Sequence, residues 1–564
     1  MSKHSLNSFG GLMGELVLDR LVDNSKIANR KQQVMLSRLM EQNKDTEYGK
    51  KYHFADVHSY EDYKRLVPLS TYSDYEDACH RMAEGEKNLI TAKKCRRFTH
   101  TTGTTGNAKL IPLSHFAEWI CHIFSFCAPV GCAKRWFEAK GEALPAKKGL
   151  LTAEITSTRL PCGATLSCLS AIPLLNLKPL VTRFATSPKE VLFPDPSVKM
   201  DMQYLKLRFA LAEPDVAYLG TVFITTLESL FFYMEHHWQM LCDDIEMGGI
   251  NDSIEMPEDL RRKYNKMLKP DPERAAELRR EFEKGFDDEP IVPRIWKKCG
   301  WLYGMGTGAR AMYAKKLRRY IGDEMPMHYM GYGATEAMMA VPTELDSYEY
   351  VLLAQNVFFE FRDIAENDDY DHLKTIDQLE VGKDYEVIIT NMSGFYRYMI
   401  KDVVKCTGYF YEAPKVTFVS RLDQLADISG EKIMLSSFDE IMENTSNDLD
   451  QILIGYSIYT DFSTSPGHFV ILMETADDIP VSEQEHYAEV FEKRLIEVNS
   501  EVEPNQRSGS LGKTEVKFLQ HGTYDAYRDL LHSRGASINQ LKPIKAIDTE
   551  EKKEFFFARL LENQ

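Results

Sequence analysis

An α/β fold is predicted, with a large N-terminal domain and a smaller α+β domain behind it. Three observations point there. The chain has 564 residues, too many for one ordinary core, so a large domain plus a smaller one is the natural division. Residues 150–220 hold short apolar runs separated by Pro and Gly, such as Ala171–Leu175 and Val216–Gly220, which suit strands alternating with helices in one layer. Residues 425–564 read as a small α+β unit, with strands expected at 452–459 and 468–473.

Composition narrows the function classes. Hydrophobic residues are 43% and charged residues 27%, the profile of a soluble globular enzyme. Against 68 basic side chains stand 85 acidic ones, a net charge of −17 that argues against nucleic acid or an anionic membrane as the main partner. A local basic pocket remains compatible with it. The cysteines are scattered without a C-x-x-C pair, so neither a zinc site nor a secreted disulfide framework is expected, and a reducing, cytoplasmic location is. Cys121, Cys127 and Cys132 share an apolar segment and read as core. Glu15, Asp19 and Arg20 break the N-terminal apolar run, so no signal peptide is expected. No stretch reads as long enough for a membrane span; Phe116–Cys132, interrupted by Glu118 and His122, is the most apolar helical candidate.

Taken in order, residues 1–50 read as helices, with Val34, Leu36, Leu39 and Met40 at helical spacing before a turn at Asn43. Asn43–Tyr52 yields no chemistry and reads as a helix stop and loop. Ser114 is a plausible N-cap, after which Phe116, Ile120, Ile123 and Cys127 share one helix face, as core or as the wall of an acyl pocket. His236 and His237 lie on an expected helix with no second ligand pair. Glu258–Asp288 is highly charged and reads as two exposed helices in a surface insertion. In the C-terminal part Ser482 with Glu485 reads as a capping box. Ala488, Phe491, Leu495 and Val498 form a stripe, and a last helix is expected to end at Gly535.

The chemistry concentrates in one stretch, Phe98–Pro112, F-T-H-T-T-G-T-T-G-N-A-K-L-I-P. It reads as strand, turn, strand. Thr101, Thr102, Gly103, Thr104, Thr105 and Gly106 make a turn of small residues whose backbone N–H groups and hydroxyls suit an anion, with Lys109 as a point charge. A plain turn that binds nothing is the competing reading. The P-loop pattern fails, because Lys109 lies three residues past Gly106 and is followed by Leu110. Three further motifs follow. Gly304–Arg310, with Gly306 and Thr307, is a small-residue turn that would let a flat base approach. Gly331–Glu336 reads G-Y-G-A-T-E after the strand-like 327–330. Thr390–Val404 reads T-N-M-S-G-F-Y-R-Y-M-I-K-D-V-V.

The Gly/Thr stretch resembles the phosphate signature of adenylate-forming enzymes, T-S-G-T-T-G-x-P-K, keeping the lysine and losing the proline. Tyr396-Arg397-Tyr398 with Asp402, Val403-Val404 and Thr407–Phe410 resembles the Gretchen-Hagen family of auxin-responsive acyl-acid-amido synthetases and their bacterial relatives, a bacterial-type member being the expectation. Tyr385-Glu386, residues 414–421 and residues 535–540 with Lys542 also fit, so the resemblance runs from Asn43 to Lys545.

That resemblance implies a large N-terminal domain of adenylate-forming type, residues 1–422, that binds ATP and an acyl acid. It also implies a small mobile α+β domain, residues 423–564, joined near Arg421–Gln424. A carboxylate would attack the α-phosphate of ATP, and an amine, usually an amino acid, would then displace AMP. Thr101–Gly106 and Lys109 would hold phosphates, Thr335 would touch the α-phosphate, and Glu336 would hold Mg²⁺. Gly306, Thr307, Tyr332, Gly333 and Ala334 would receive the base, Asp402 the ribose hydroxyls, and Arg421 the ribose or phosphate edge. Lys542, or else Lys432 or Lys545, would reach over the active site during adenylation. After Arg421 the stretch L-D-Q-L-A-D-I-S-G-E-K departs from the plant pattern toward the general superfamily hinge. That keeps an acyl-CoA ligase as the alternative; a catalytically silent nucleotide-binding relative is the third reading. The acid, the amine and the oligomeric state are not readable.

Overall fold

The computed structural model describes residues 3–101, 109–145, 147–195, 197–306, 311–365, 370–422, 425–431, 433–449, 451–533 and 544–561. The chain divides into two compact units, one of Met1–Thr101 with Lys109–Leu422 and one taking in Asp423–Gln564.

The first unit opens on helices α1 (Lys3–Ser25) and α2 (Ala28–Asn43). Helix α2 buries Met35, Leu36, Leu39 and Met40 but leaves Val34 exposed, so the apolar stripe includes Met35 in place of the expected Val34. The α2 side chain Gln32 acts like one more strand residue. Its Nε2 donates to the carbonyls of Ala354 and Val357, both at 2.6 Å, and its Oε1 accepts from Phe359 N at 2.8 Å. This satisfies part of a sheet edge that would otherwise present unpaired backbone. The phrase Asn43–Tyr52 is an anchor. Thr46 caps the helix Glu47–Lys51, and Tyr48 stacks on both Tyr75 and Tyr396, with ring centroids 5.3 and 5.1 Å away.

Strands β1 (Cys95–Thr101) and β2 (Lys109–Ser114) pair antiparallel, ending with Thr101 opposite Lys109. Residues 165–167 and 158–159 extend this small sheet. Ser114 caps the next helix, α3 (His115–His122), through Ala117 N. A π turn over Ile123–Cys127 then shifts the register before α4 (Ala128–Ala139). The expected single face is therefore split. Ile120 enters the core, whereas Ile123 and Cys127 are half-buried and line a cavity. Helices α1 and α4 cross at Gly14 and Gly131, so closely that a Cβ on Gly14 would meet Gly131 N at 2.5 Å. His115–Ala139 is 25 residues long and apolar enough, by length and composition, to cross a membrane, which corrects the expectation that no stretch is; here it is a half-buried core helix. Burial pushes the Cys121 and Cys132 thiols up to about 12, as fits core cysteines rather than metal ligands or nucleophiles.

The α/β layer is a parallel sheet of β3 (Gly149–Leu151), β4 (Tyr218–Phe223), β5 (Trp301–Met305) and β6 (Met327–Tyr329), in that order. Ala171–Leu175 belongs to a helix, Ala171–Asn176. Helix α5 (Ile224–Met247) follows β4 and carries His236 and His237. Among the described residues no cluster of three His, Cys, Asp or Glu could hold a metal. The charged stretch forms helices Glu258–Met267 and Pro272–Phe282 as expected. They are not simply exposed: Tyr264, Ala275, Leu278 and Phe282 are buried, and Arg274 donates to the carbonyls of Leu211 and Ile295. A narrow apolar stripe hides inside the charge run.

Seven antiparallel strands complete the unit: β7 (Tyr332–Ala334), β8 (Ala337–Val341), β9 (Tyr350–Leu352), β10 (Val357–Asp363), β11 (Asp384–Asn391), β12 (Tyr398–Phe410) and β13 (Ala413–Arg421), in spatial order β10-β11-β12-β13-β9-β8-β7. A buried ion pair fixes the entry to β12. Arg397 adopts φ +47°, its Nε donates to both Glu360 oxygens at 3.1 Å, and Tyr60 donates to the same carboxylate. Burial pushes Glu360 above the ordinary carboxylate value, and the guanidinium opposes that shift.

In the second unit β14 (Leu453–Asp461), β15 (His468–Thr475) and β16 (Glu515–Phe518) form one sheet. Its residues alternate between two cores. Phe469, Ile471 and Met473 meet Phe438, Phe491 and Leu495, while Val470 and Leu472 meet Tyr527 and Phe556. The expected capping box is absent. Helix Val481–Val498 takes Pro480 as its N-cap with no side-chain bond, so Ser482 is already the second helical residue. Gly535 lies outside the described residues, and Thr523–Ser533 is not the last helix, since Glu550–Phe557 follows. In S-G-E-K, Glu431 is buried and accepts from the N–H groups of Ile428 and Ser429. Burial, then the Asp427 charge, push its carboxyl up to about 7.

Arg397→Met leaves the Glu360 carboxylate uncompensated in the core and should cost about 3–5 kcal/mol in chemical denaturation; a cost near zero would mean that the pair does not organise the sheet. For Glu431 the folded state holds its proton more tightly than the unfolded one, so this group's stabilisation weakens as pH rises from the ordinary 4.5 toward about 7. Glu431→Gln should remove that slope, measured as the difference in Tm between wild type and variant across pH 5 to 8; a constant difference would contradict the shift.

Candidate functional site

The G-Y-G-A-T-E motif is a tight hairpin, β7 and β8 joined at Thr335-Glu336. Its position is set by Asn391 at the end of β11. Asn391 Nδ2 donates to the Glu336 carbonyl at 2.8 Å, while its Oδ1 accepts from the N–H groups of Ser393, Gly394 and Phe395 at 2.9–3.1 Å. Ser393 Oγ in turn accepts from Ser114 N at 3.1 Å. From the other side Thr99 Oγ1 on β1 donates to the Thr335 carbonyl at 3.4 Å. The β1–β2 hairpin, the Glu336 hairpin and the 391–397 turn are thereby brought together, although nearly 300 residues separate the first from the last.

Asp402 is aimed by a bulge. Along β12, Met399 opposes Ile388 and Val403 opposes Glu386, so Ile400, Lys401 and Asp402 face Val387 alone, and Lys401 takes φ +67°. Such bulges redirect a side chain. Asp402 is buried, and its Oδ2 accepts from the Tyr332 hydroxyl at 3.0 Å. Tyr332 lies on β7 at the far edge, with three strands between it and β12 in spatial order, so the sheet curls until this edge reaches β12. Asp402 also lies directly opposite Arg421 on β13. Both belong to one sheet of the first unit.

Lys109 begins β2, and its ammonium lies 5.4 Å from the Tyr72 ring centroid. The Tyr72 hydroxyl accepts from Leu110 N at 2.8 Å and donates to its carbonyl at 3.3 Å, pinning the strand behind the lysine. The Glu336 residue is largely buried at the turn of this hairpin, and its charge acts on the Tyr72 hydroxyl. A carboxylate at that turn is of the donor type that a hard cation prefers. Gly333 and Ala334 lie in β7. Gly306 follows β5 and is packed so that a Cβ there would meet Ile224 Cδ1 at 2.7 Å. Thr101 is placed as the last residue of β1. Thr102, Gly103, Thr104, Thr105, Gly106, Thr307, Lys432 and Lys542, and the hinge residues Asp423 and Gln424, lie outside the described residues.

Sequence reasoning missed Tyr72, Asn391 and Ser70. Ser70 N donates to the Arg397 carbonyl and its own carbonyl accepts from Met399 N, a one-residue strand that guides the chain into β12. It also missed two voids beside the parallel sheet. A small one of about 30 Å³ touches Thr221, Val222 and Met330 near the strand C-terminal ends. A large one of about 350 Å³ is lined by Trp119, Val130, Leu180, Phe184, Tyr218 and Trp301, among others. Ser125, Phe126 and Tyr303 border both. Gly220 makes room for the Tyr303 ring, since a Cβ there would lie 2.6 Å from its hydroxyl. The only signal in the sequence was the apolar face of 116–127, obscured by the π turn.

Three family domains match in order: the GH3 family N-terminal domain over residues 17–327, the central domain over 350–421 and the C-terminal domain over 436–551. A probable indole-3-acetic acid-amido synthetase of Oryza sativa subsp. japonica is 28% identical, over 97% of this chain and 96% of its own. A jasmonoyl–L-amino acid synthetase of Nicotiana attenuata is 25% identical, over 94% and 93%. Among solved structures, a GH3.15 acyl acid amido synthetase superposes with a TM-score of 0.62 at 24% identity, over 96% of each chain. A 2-hydroxyisobutyryl-CoA ligase gives 0.51 at 13%, over 93% and 90%, and so shares the adenylate-forming fold. With more than half of its length matched by the N-terminal domain alone, this chain belongs to the GH3 (Gretchen-Hagen) family.

Proposed function

We propose that this chain is an ATP-dependent acyl-acid-amido synthetase that adenylates a carboxylic acid and passes the acyl group to an amine. Family membership and the adenylate-forming fold support this reading. The observation that carries it is the joining of the Glu336 hairpin, the β1–β2 hairpin and the Asp402–Tyr332 pair in one place.

In the first half-reaction an acid oxygen forms a bond to the α-phosphorus and pyrophosphate leaves. In the second, the amine nitrogen bonds to the acyl carbon, loses a proton, and AMP leaves. Attack at phosphorus spreads charge over non-bridging oxygens, so catalysis is mainly positioning and electrostatics. Lys109, at the foot of β2, would supply positive charge where the Gly/Thr connection ends. Asp402 would accept from the ribose hydroxyls, with the Tyr332 hydroxyl fixing the carboxylate's orientation. Glu336 would hold Mg²⁺ together with phosphate oxygens, the habit of a hard cation that rarely uses an all-protein cage. When bound, the metal would neutralise charge on the phosphates. Acids and amino acids of the kinds named in the relatives, indole-3-acetic acid and jasmonate among them, define the first substrates to try.

Pyrophosphate release with a carboxylic acid panel, followed by mass spectrometry of products with pooled amino acids or with CoA, tests the reading. Amides should form without CoA; a thioester as the sole product would favour the ligase alternative. Glu336→Ala should slow pyrophosphate exchange roughly 10²-fold or more, the usual effect of losing one electrostatic stabiliser, and undiminished exchange would reject its role. Asp402→Ala should weaken ATP by about 1.5–3 kcal/mol, the worth of a hydrogen bond to a charged group, and Tyr332→Phe by less. An unchanged KM for ATP in both would remove the pair from ribose binding.

A further inference from the structure

We infer that the large cavity is a tail chamber, and that the acid this protein activates carries a long apolar body of roughly a dodecanoic acid's size. The inference rests on the synthetase reading for the carboxyl end and on the cavity's own geometry for the tail. The parallel sheet sets the direction. The small void of about 30 Å³ lies by Thr221, Val222 and Met330, of which Met330 comes just before the Glu336 hairpin in sequence. The chamber of about 350 Å³ reaches the opposite ends of the strands, where Tyr218 and Trp301 begin β4 and β5. Ser125, Phe126 and Tyr303 line both, so they stand where the two voids meet. An acid with its carboxyl at the small void would place its tail past these residues, in a chamber that is also partly open to solvent beside the half-exposed Trp119.

Size and chemistry select the occupant. An apolar cavity of about 150 Å³ takes one benzene ring, so about 350 Å³ accepts two rings or an alkyl chain of roughly twelve carbons. A short acid would leave the chamber unfilled. The lining offers one charged residue, Lys147, and its ammonium is engaged by Asp215 at 2.7 Å, so nothing there receives a second carboxylate. Burial raises the Tyr218 and Tyr303 hydroxyls above the ordinary phenol value, which keeps them neutral. The π turn is the device that shapes this meeting of the two voids. It swings Ser125 and Phe126 to the boundary of both voids while Phe124 stays buried in the core, and π turns often mark functional positions.

The test is calorimetric binding of straight-chain acids from four to sixteen carbons to the nucleotide-free protein, together with pyrophosphate release for the same series. Affinity should rise to roughly twelve carbons and then level off. Val130→Phe and Leu180→Trp, two independent fillings of the chamber, should each lower dodecanoate affinity about tenfold and shift the preference in kcat/KM toward butanoate. Thermal melts identify a variant that fails to fold, and the wild-type chain-length series stands without either. Affinity that does not grow with chain length, or that is unaltered in both folded variants, overturns the tail chamber. Chain-length-dependent binding with no pyrophosphate from any acid upholds the chamber and rejects the synthetase reading instead.

Discussion

The site depends on one short turn, Asn391–Arg397, and on how completely its polar groups are satisfied. Asn391 gathers three backbone N–H groups on one oxygen and spends its amide on the Glu336 carbonyl. At the other end Arg397 is held in a left-handed backbone conformation by Glu360, Lys64 and Val67. Strain of that kind persists only where the surroundings over-determine it. Between the two, the Tyr396 backbone is held by Ser70 and Tyr75, and its ring by Tyr48 and Phe54. The N-terminal segment thus clamps a turn more than 300 residues away. The clamp fixes where β12 begins, and so where its bulge presents Asp402.

Polar and apolar functions are kept apart by the same architecture. The curled antiparallel sheet gathers Asp402, Tyr332 and Glu336, groups suited to a charged, hydrogen-bonding ligand. The parallel sheet and the α3–α4 segment supply the apolar voids, with only small residues and aromatic rings at their meeting. A low-dielectric wall beside a preorganised polar site strengthens the electrostatics that act on a developing charge. In the second unit the sheet is buried on both faces, and Glu431 carries the same economy to a loop, one carboxylate holding two N–H groups.

Much of this was readable, in specific ways. The Gly/Thr stretch flanked by strands is visible because turn residues and β-formers announce themselves locally. The helix stops, the Ser114 cap and the C-terminal strands are local too. Errors arose where a neighbour overruled a local rule. Val34 fits the helical stripe but faces out. Ser482 has capping chemistry, yet the helix starts one residue earlier at Val481, after Pro480. The charge run 258–288 hides Leu278 and Phe282 against other helices. The apolar 115–139 segment reads differently by composition than by burial.

The sequence by itself determined the motifs, their order and their residue types, and hence the family and the class of chemistry. Lys109, Glu336 and Asp402 could be singled out because they stand in motifs that resemble those of adenylate-forming enzymes, and the phosphate, metal and ribose roles which that resemblance implies would each use a charge or an ionised acceptor. Tertiary structure alone decided which of them meet. Residue identity does not encode the curl that carries Tyr332 to Asp402, the bulge at Lys401, or the hold of Asn391 on the Glu336 hairpin. It does not encode the π turn that opens one void toward another either. Those arise from backbone hydrogen bonds and packing between segments hundreds of residues apart, whose free energies exist only once the chain has closed on itself.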